Sequence, residues 1–110
     1  DVIGVAATGP IGDVLTRAAR DRGITYRESV SVQTFFIAAR LAQLEGGVTV
    51  IDEFTARAWQ SPGYRWLPTD PPLGFTVSYV TLEDRPPSKI ARQFLRTLED
   101  TLEGIRADHP

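Results

Sequence analysis

The sequence predicts an α/β fold in which βαβ units surround a mostly parallel sheet, and three features of its central stretch support this prediction. Few residues between Val32 and Leu44 are polar, which indicates a helix covered on most of its sides. Gly46 and Gly47 follow, and glycine permits the left-handed residue that ends many helices. Val48–Ile51 is a short, largely β-branched run, typical of a strand covered on both faces of a parallel sheet. With a strand before the helix, this stretch predicts a βαβ unit with a right-handed crossover.

The first part of the chain is predicted to add one further strand and helix. Asp1–Ala7 is small, apolar and β-branched, as expected of a first strand. A turn at Gly9-Pro10 leads into a predicted helix over Ile11–Arg22, where apolar residues recur at helical spacing. Gly23 can end this helix, and Ile24–Val30 is then predicted to be a half-exposed strand.

The last part of the chain is predicted to contain two helices and two strands. Asp52 or Thr55 can cap a short helix, and residues 64–67 and 75–80 have the composition of strands. Ser88 is predicted to cap a final helix that carries an apolar stripe over about four turns. The stripe is too long to stay exposed, so we expect another part of a longer protein or a second subunit to cover it. Its members are Ile90, Phe94, Leu95, Leu98, Leu102 and Ile105.

Composition excludes several classes of function. The chain has 110 residues, a net charge of −2 and no cysteine, so thiolate metal sites and thiol catalysis are excluded. The balanced charge argues against binding of nucleic acid or a membrane surface by this chain, and no apolar run approaches the roughly 20 residues of a membrane span. The single histidine, His109, lies beside the C-terminus, which argues against a Ser-His-Asp site. We therefore expect no catalytic residue, no metal and no cofactor.

The start of the central helix is the candidate binding site. We expect this helix to begin at Ser31, with Gln33 and Thr34 in its first turn. The first turn of a helix presents unpaired N–H groups and a positive dipole end, and ligands of open α/β sheets settle outside the carboxyl ends of the strands. Ser31 either only caps the helix or also contacts a small anionic or polar ligand. Phe35 and Phe36 either narrow this site or pack into the core.

Several segments in order resemble the effector-binding domain of LysR-type transcriptional regulators. Residues 41–56, LAQLEGGVTVIDEFTA, are similar to the family segment LVAAGLGVALVDPFTA. The pair Pro71-Pro72 before a β-rich run, and Arg85–Ser88 before ARQFL, fit the same family pattern. The resemblance extends from about Val2 to Leu102. Glu45-Gly46 replaces the usual Gly-Leu, and Glu53 replaces a common proline, which puts the turn after Ile51 in doubt.

The resemblance implies one lobe of a type-2 periplasmic-binding-protein-like domain, with a mostly parallel sheet and a C-terminal helix. It implies that residues 1–110 are a partial effector-binding domain, without the first lobe and the winged helix-turn-helix of the parent protein. The parent is expected to be a cytoplasmic homodimer or tetramer that does not associate with membranes and contacts DNA only through the domain absent here. A small effector, anionic or polar, is expected in a cleft between lobes. The ligand-binding residues predicted for this lobe are Ala7, Thr8, Ser31, Val32, Gln33, Thr34, Asp52 and Phe54.

Two other functions fit the same fold. A solute-binding protein of a transporter would carry a secretion signal upstream of this lobe. An enzyme domain would need a convergent acid, base or cofactor lysine, and Lys89, the only lysine, is predicted at a helix start. Neither alternative explains the order of the family-like segments as well, although fold alone does not decide function.

Overall fold

The computed structural model describes residues 1–5, 9–59 and 61–108. The chain divides into two compact units, Asp1–Thr76 and Val77–Pro110. The first unit contains a small sheet with three helices. Its elements in chain order are β1 (Val2–Val5), α1 (Pro10–Asp21), β2 (Glu28–Val32), α2 (Phe35–Glu45), β3 (Val48–Thr49) and α3 (Glu53–Ala58). The second unit contains α4 (Lys89–Ala107).

The three strands form one parallel sheet in the order β2-β1-β3, which confirms the predicted α/β class with a parallel sheet and a C-terminal helix. β1 is central, and it pairs with Val32 through Val5 on one side and with Thr49 through Ile3 on the other. The Thr49 hydroxyl also donates to the Ile3 carbonyl oxygen over 2.8 Å. The chain moves from β1 to β2 and then crosses back over β1 to reach β3, so the strand order reverses at β1.

α2 packs on the sheet through a narrow face. Ala38 and Ala39 are buried, and with Ile3 and Ala56 they form the apolar core of the described residues. Phe36 remains 50% exposed and Ile37 48% exposed, so α2 is not covered on most of its sides as its composition predicted. Within the described part of the chain, the sheet covers α2 from one direction only.

Four strand predictions were wrong in their extent or their existence. β2 begins at Glu28 rather than at residue 24 and continues to Val32, because its residues pair in register with β1. β3 covers only Val48 and Thr49 of the predicted run. The segments 64–67 and 75–80 are not strands, since no other described strand pairs with them and the backbone ladder that defines a strand does not form.

Helix ends were predicted more accurately than strands. Ser88 caps α4 and accepts a hydrogen bond from the Ala91 N–H over 3.1 Å, as its position before the helix indicated. Gly46 ends α2 with φ of 68°, in the left-handed region. Along α4 the apolar stripe is present but no residue is buried, and Ile90 is 81% exposed.

Candidate functional site

The carboxyl ends of the three parallel strands meet at one edge of the sheet. This edge is formed by Val5, Val32 and Thr49, the last residues of β1, β2 and β3. In open α/β sheets, ligands bind outside this edge where the strand order reverses, which here is beside β1. Ala7 and Thr8, predicted to contact ligand, follow β1 and lie outside the described residues.

Ser31 is not the residue that caps α2, so the predicted start of this helix was wrong. Ser31 lies inside β2 and pairs in register with Gly4 of β1. Its side chain is exposed and makes no hydrogen bond within the described residues. Pairing with β1 extends the strand through Val32, because each residue added to the ladder satisfies backbone groups that a helix start would leave unpaired.

Thr34 is the N-cap of α2. Its backbone is extended, with φ of −133° and ψ of 154°, and its hydroxyl accepts a hydrogen bond from the Ile37 N–H over 3.3 Å. The N–H groups of the first turn therefore belong to residues 35–37, three residues later than the sequence predicted, and Gln33 and Thr34 precede the helix. Gln33 is exposed and Val32 is half-buried, so this edge presents polar groups toward solvent.

Asp52 follows β3 and caps α3 with both carboxylate oxygens. Oδ1 accepts from the Thr55 N–H over 2.9 Å, and Oδ2 accepts from the Thr55 hydroxyl over 2.6 Å. The sequence prediction that Asp52 or Thr55 starts this helix is thus resolved in favour of Asp52. These two hydrogen bonds orient the Asp52 carboxylate and keep its negative charge beside the end of β3.

β2 and β3 flank β1, so Thr34 and Asp52 follow strands that are two strand spacings apart, about 9–10 Å. That separation suits a small organic molecule that bridges the loops after the two outer strands. The structure therefore places the two described predicted segments, residues 31–34 at the end of β2 and residues 52–54 after β3, at the same edge of the sheet on either side of β1.

Two aromatic pairs lie next to these segments, and the sequence did not identify either pairing. Phe54 contacts Phe75 edge to face, with ring centroids 6.1 Å apart and an interplanar angle of 87°. Phe36 contacts Trp59 at 6.1 Å in a tilted arrangement. The Nε1 atom of Trp59 is buried and has no hydrogen-bond partner within the described residues. Phe36 thus contributes to a half-exposed aromatic surface beside the α2 start rather than to the core.

A cavity of about 510 Å³ lies between α1 and the sheet. Its walls are mainly apolar and include Ile3, Val5, Leu15 and Phe35. Three charged residues also line it, namely Arg22, Glu28 and Asp70. None of the described residues predicted to bind ligand lines this cavity, but Val5, Phe35 and Val50 do, so the cavity reaches the carboxyl edge of the sheet beside the start of α2.

The described residues contain no group of three or more acidic or histidine side chains that could hold a metal ion. No helix in the described ranges is both long and apolar enough to cross a membrane. What the edge does provide is hydroxyl, amide and carboxylate groups beside aromatic surface, an arrangement suited to binding a small polar molecule.

Comparison with known proteins gives two consistent findings. A family model described as the LysR substrate binding domain matches residues 1–103. The HTH-type transcriptional regulator DgcR of Pseudoalteromonas sp is 32% identical over 102 residues, which cover 93% of this chain and 35% of that regulator. The chain therefore spans about a third of the length of this curated relative. No solved structure matches the chain significantly.

Proposed function

Because the chain belongs to the LysR substrate binding domain family of transcriptional regulators, we propose that it is the small-molecule-sensing lobe of a DNA-binding regulator. The family resemblance predicted from the sequence is confirmed, and with it the periplasmic-binding-protein-like fold. We propose a binding role without catalysis, in which the effector lies at the sheet edge near the α2 N-terminus. Its anionic or polar group would face the N–H groups of Phe35 and Phe36, since the Ile37 N–H already donates to Thr34.

One observation carries this proposal, namely the reversal of strand order at β1. Because the strands are parallel, β2 and β3 end at one edge on either side of β1, with the Thr34 cap after β2 and the Asp52 cap after β3. We extend the proposed site to Ser31 and Val32 at the end of β2, to Gln33 in the loop that follows, and to Phe54 in the first turn of α3. Ala7 and Thr8 complete the proposed set by sequence position, between β1 and α1.

The regulatory mechanism that we propose is a population shift. An effector held between two lobes favours one lobe arrangement, and an oligomer transmits that arrangement to the DNA-binding domains. We propose that the first lobe and the winged helix-turn-helix belong to the remainder of the regulator, that the parent works in the cytoplasm as a homodimer or tetramer, and that it does not associate with membranes.

We also propose that α1 and β2 contact the other lobe of a second subunit in an isologous dimer. β2 is an edge strand of the sheet, and Val30 on it is 48% exposed. An exposed strand edge with apolar side chains is a surface that proteins usually cover. α1, predicted as Ile11–Arg22 and observed over Pro10–Asp21, leads into the same edge.

The regulatory role is tested by the coding sequence upstream of Asp1. A basic winged helix-turn-helix followed by a long linker helix would support the proposal. A signal peptide and a first binding lobe would instead indicate the solute-binding protein of a transporter, and the regulatory proposal would be wrong while the fold remained correct.

The proposed site is tested by NMR titration of the 110-residue chain, with succinate as an anionic probe and succinamide as its neutral counterpart. We expect succinate to shift the amide signals of Phe35 and Phe36, whose N–H groups are not used by the Thr34 cap, more than succinamide does. The first turn of α4, capped by Ser88, is an internal control because it is also a helix N-terminus. Equal shifts at both helix starts would show only general attraction of anions, and the site at α2 would be rejected.

A further inference from the structure

We propose that the cavity between α1 and the sheet, which reaches the start of α2 at Phe35, also binds an amphipathic organic cation with an apolar body and one amine. The cavity volume of about 510 Å³ lies within the roughly 300–1,000 Å³ range of small-molecule pockets. Ile3, Leu15 and Phe35 are among its apolar walls, and such walls favour hydrocarbon or an aromatic ring.

The amine is assigned from the position of Glu28. Gly4 and Glu28 both line the cavity, and they lie on the neighbouring strands β1 and β2. A Cβ on Gly4 would overlap the Glu28 carboxylate. The absence of a side chain at Gly4 therefore lets this carboxylate lie across β1, against the cavity floor.

The Glu28 carboxylate has no hydrogen bond or ion pair within the described residues. Asp70 adds a second negative charge to the lining, and Arg22 adds one positive charge without forming an ion pair with Glu28 in the described part of the chain. The acidic residues therefore outnumber the basic residue. Glu28 is exposed, so water hydrates its carboxylate, and a protonated amine over Gly4 would replace that water through a charge-assisted hydrogen bond.

The test is calorimetry on the 110-residue chain with three probes that share one ring, namely 2-phenylethylamine, 2-phenylethanol and phenylacetate. We expect the amine to bind more tightly than the alcohol, and the alcohol more tightly than the carboxylate. Glu28→Gln should weaken amine binding about three- to tenfold, the effect of losing a charge-assisted contact that is partly open to solvent. Glu45→Gln is the matched control, because Glu45 ends α2 and does not line the cavity.

Two further variants separate the cavity from surface binding. Leu15→Trp fills apolar space beside the sheet and should abolish binding of the amine and the alcohol alike, with circular dichroism verifying the fold. Arg22→Gln removes the competing positive charge and should strengthen amine binding. The proposal is overturned if the amine fails to bind, if phenylacetate binds as tightly as the amine, or if Glu28→Gln leaves amine affinity unchanged. None of these outcomes tests anion binding at the α2 start, so the succinate titration remains a separate test of the effector site.

Discussion

Replacing Thr34 by Ala tests where α2 begins. Thr34 supplies the side-chain cap of this helix through one hydrogen bond from Ile37, whose length of 3.3 Å is near the upper limit for such bonds. N-cap substitutions to Ala cost about 0.5–2 kcal/mol, and this long, exposed bond places Thr34→Ala at about 0.5–1 kcal/mol. A loss of 1 kcal/mol lowers the melting temperature of a 60–100-residue domain by roughly 4–8 °C.

Ser31→Ala is the companion variant, because the sequence placed the cap there. The Ser31 hydroxyl has no hydrogen bond within the described residues and lies on the exposed edge strand, so we expect a change in unfolding free energy within about 0.5 kcal/mol. Urea unfolding followed by circular dichroism measures both variants, and Thr34→Ser is the control that keeps the capping oxygen. If Ser31→Ala costs more than Thr34→Ala, the helix starts where the sequence predicted, and the register of β2 described above is wrong.

Two further substitutions test the local geometry of the first unit. Asp52→Ala should lower the free energy of unfolding in urea by about 1–2 kcal/mol, because it removes the acceptor of both Thr55 hydrogen bonds. The control is Asp84→Ala in the loop before α4, which should be nearly neutral. Equal losses for the two variants would contradict the capping role of Asp52. Gly46→Ala should cost about 1 kcal/mol in thermal melts, since its φ of 68° is unfavourable for a residue with a Cβ. Gly74→Ala, where a Cβ meets nothing within 4 Å, should be neutral or slightly stabilising, and a loss as large as that of Gly46→Ala would refute the conformational explanation.

The sequence predicted the elements that depend on neighbouring residues. Asp52 and Ser88 were recognised as helix caps, and each accepts its hydrogen bond from a backbone N–H three residues later. Gly46 was recognised as a helix end for a similar reason, because its left-handed φ is a property of one residue. The family segments could also be recognised without a structure, since their order along the chain carries the resemblance.

Tertiary structure decided the features that depend on residues far apart in the chain. Ser31 is a strand residue because it pairs with Gly4, and the register of two strands is set by their joint pairing rather than by local propensity. Residues 75–80 have strand composition, yet β propensity produces a strand only where a partner strand is present. The carboxylate of Glu28 reaches the cavity floor only because β2 lies beside the glycine of β1. The sequence by itself therefore determined the family, the α/β class and the capped helix ends, whereas the start of α2 and the cavity beneath α1 depend on strand pairing across the sheet, which local sequence does not encode.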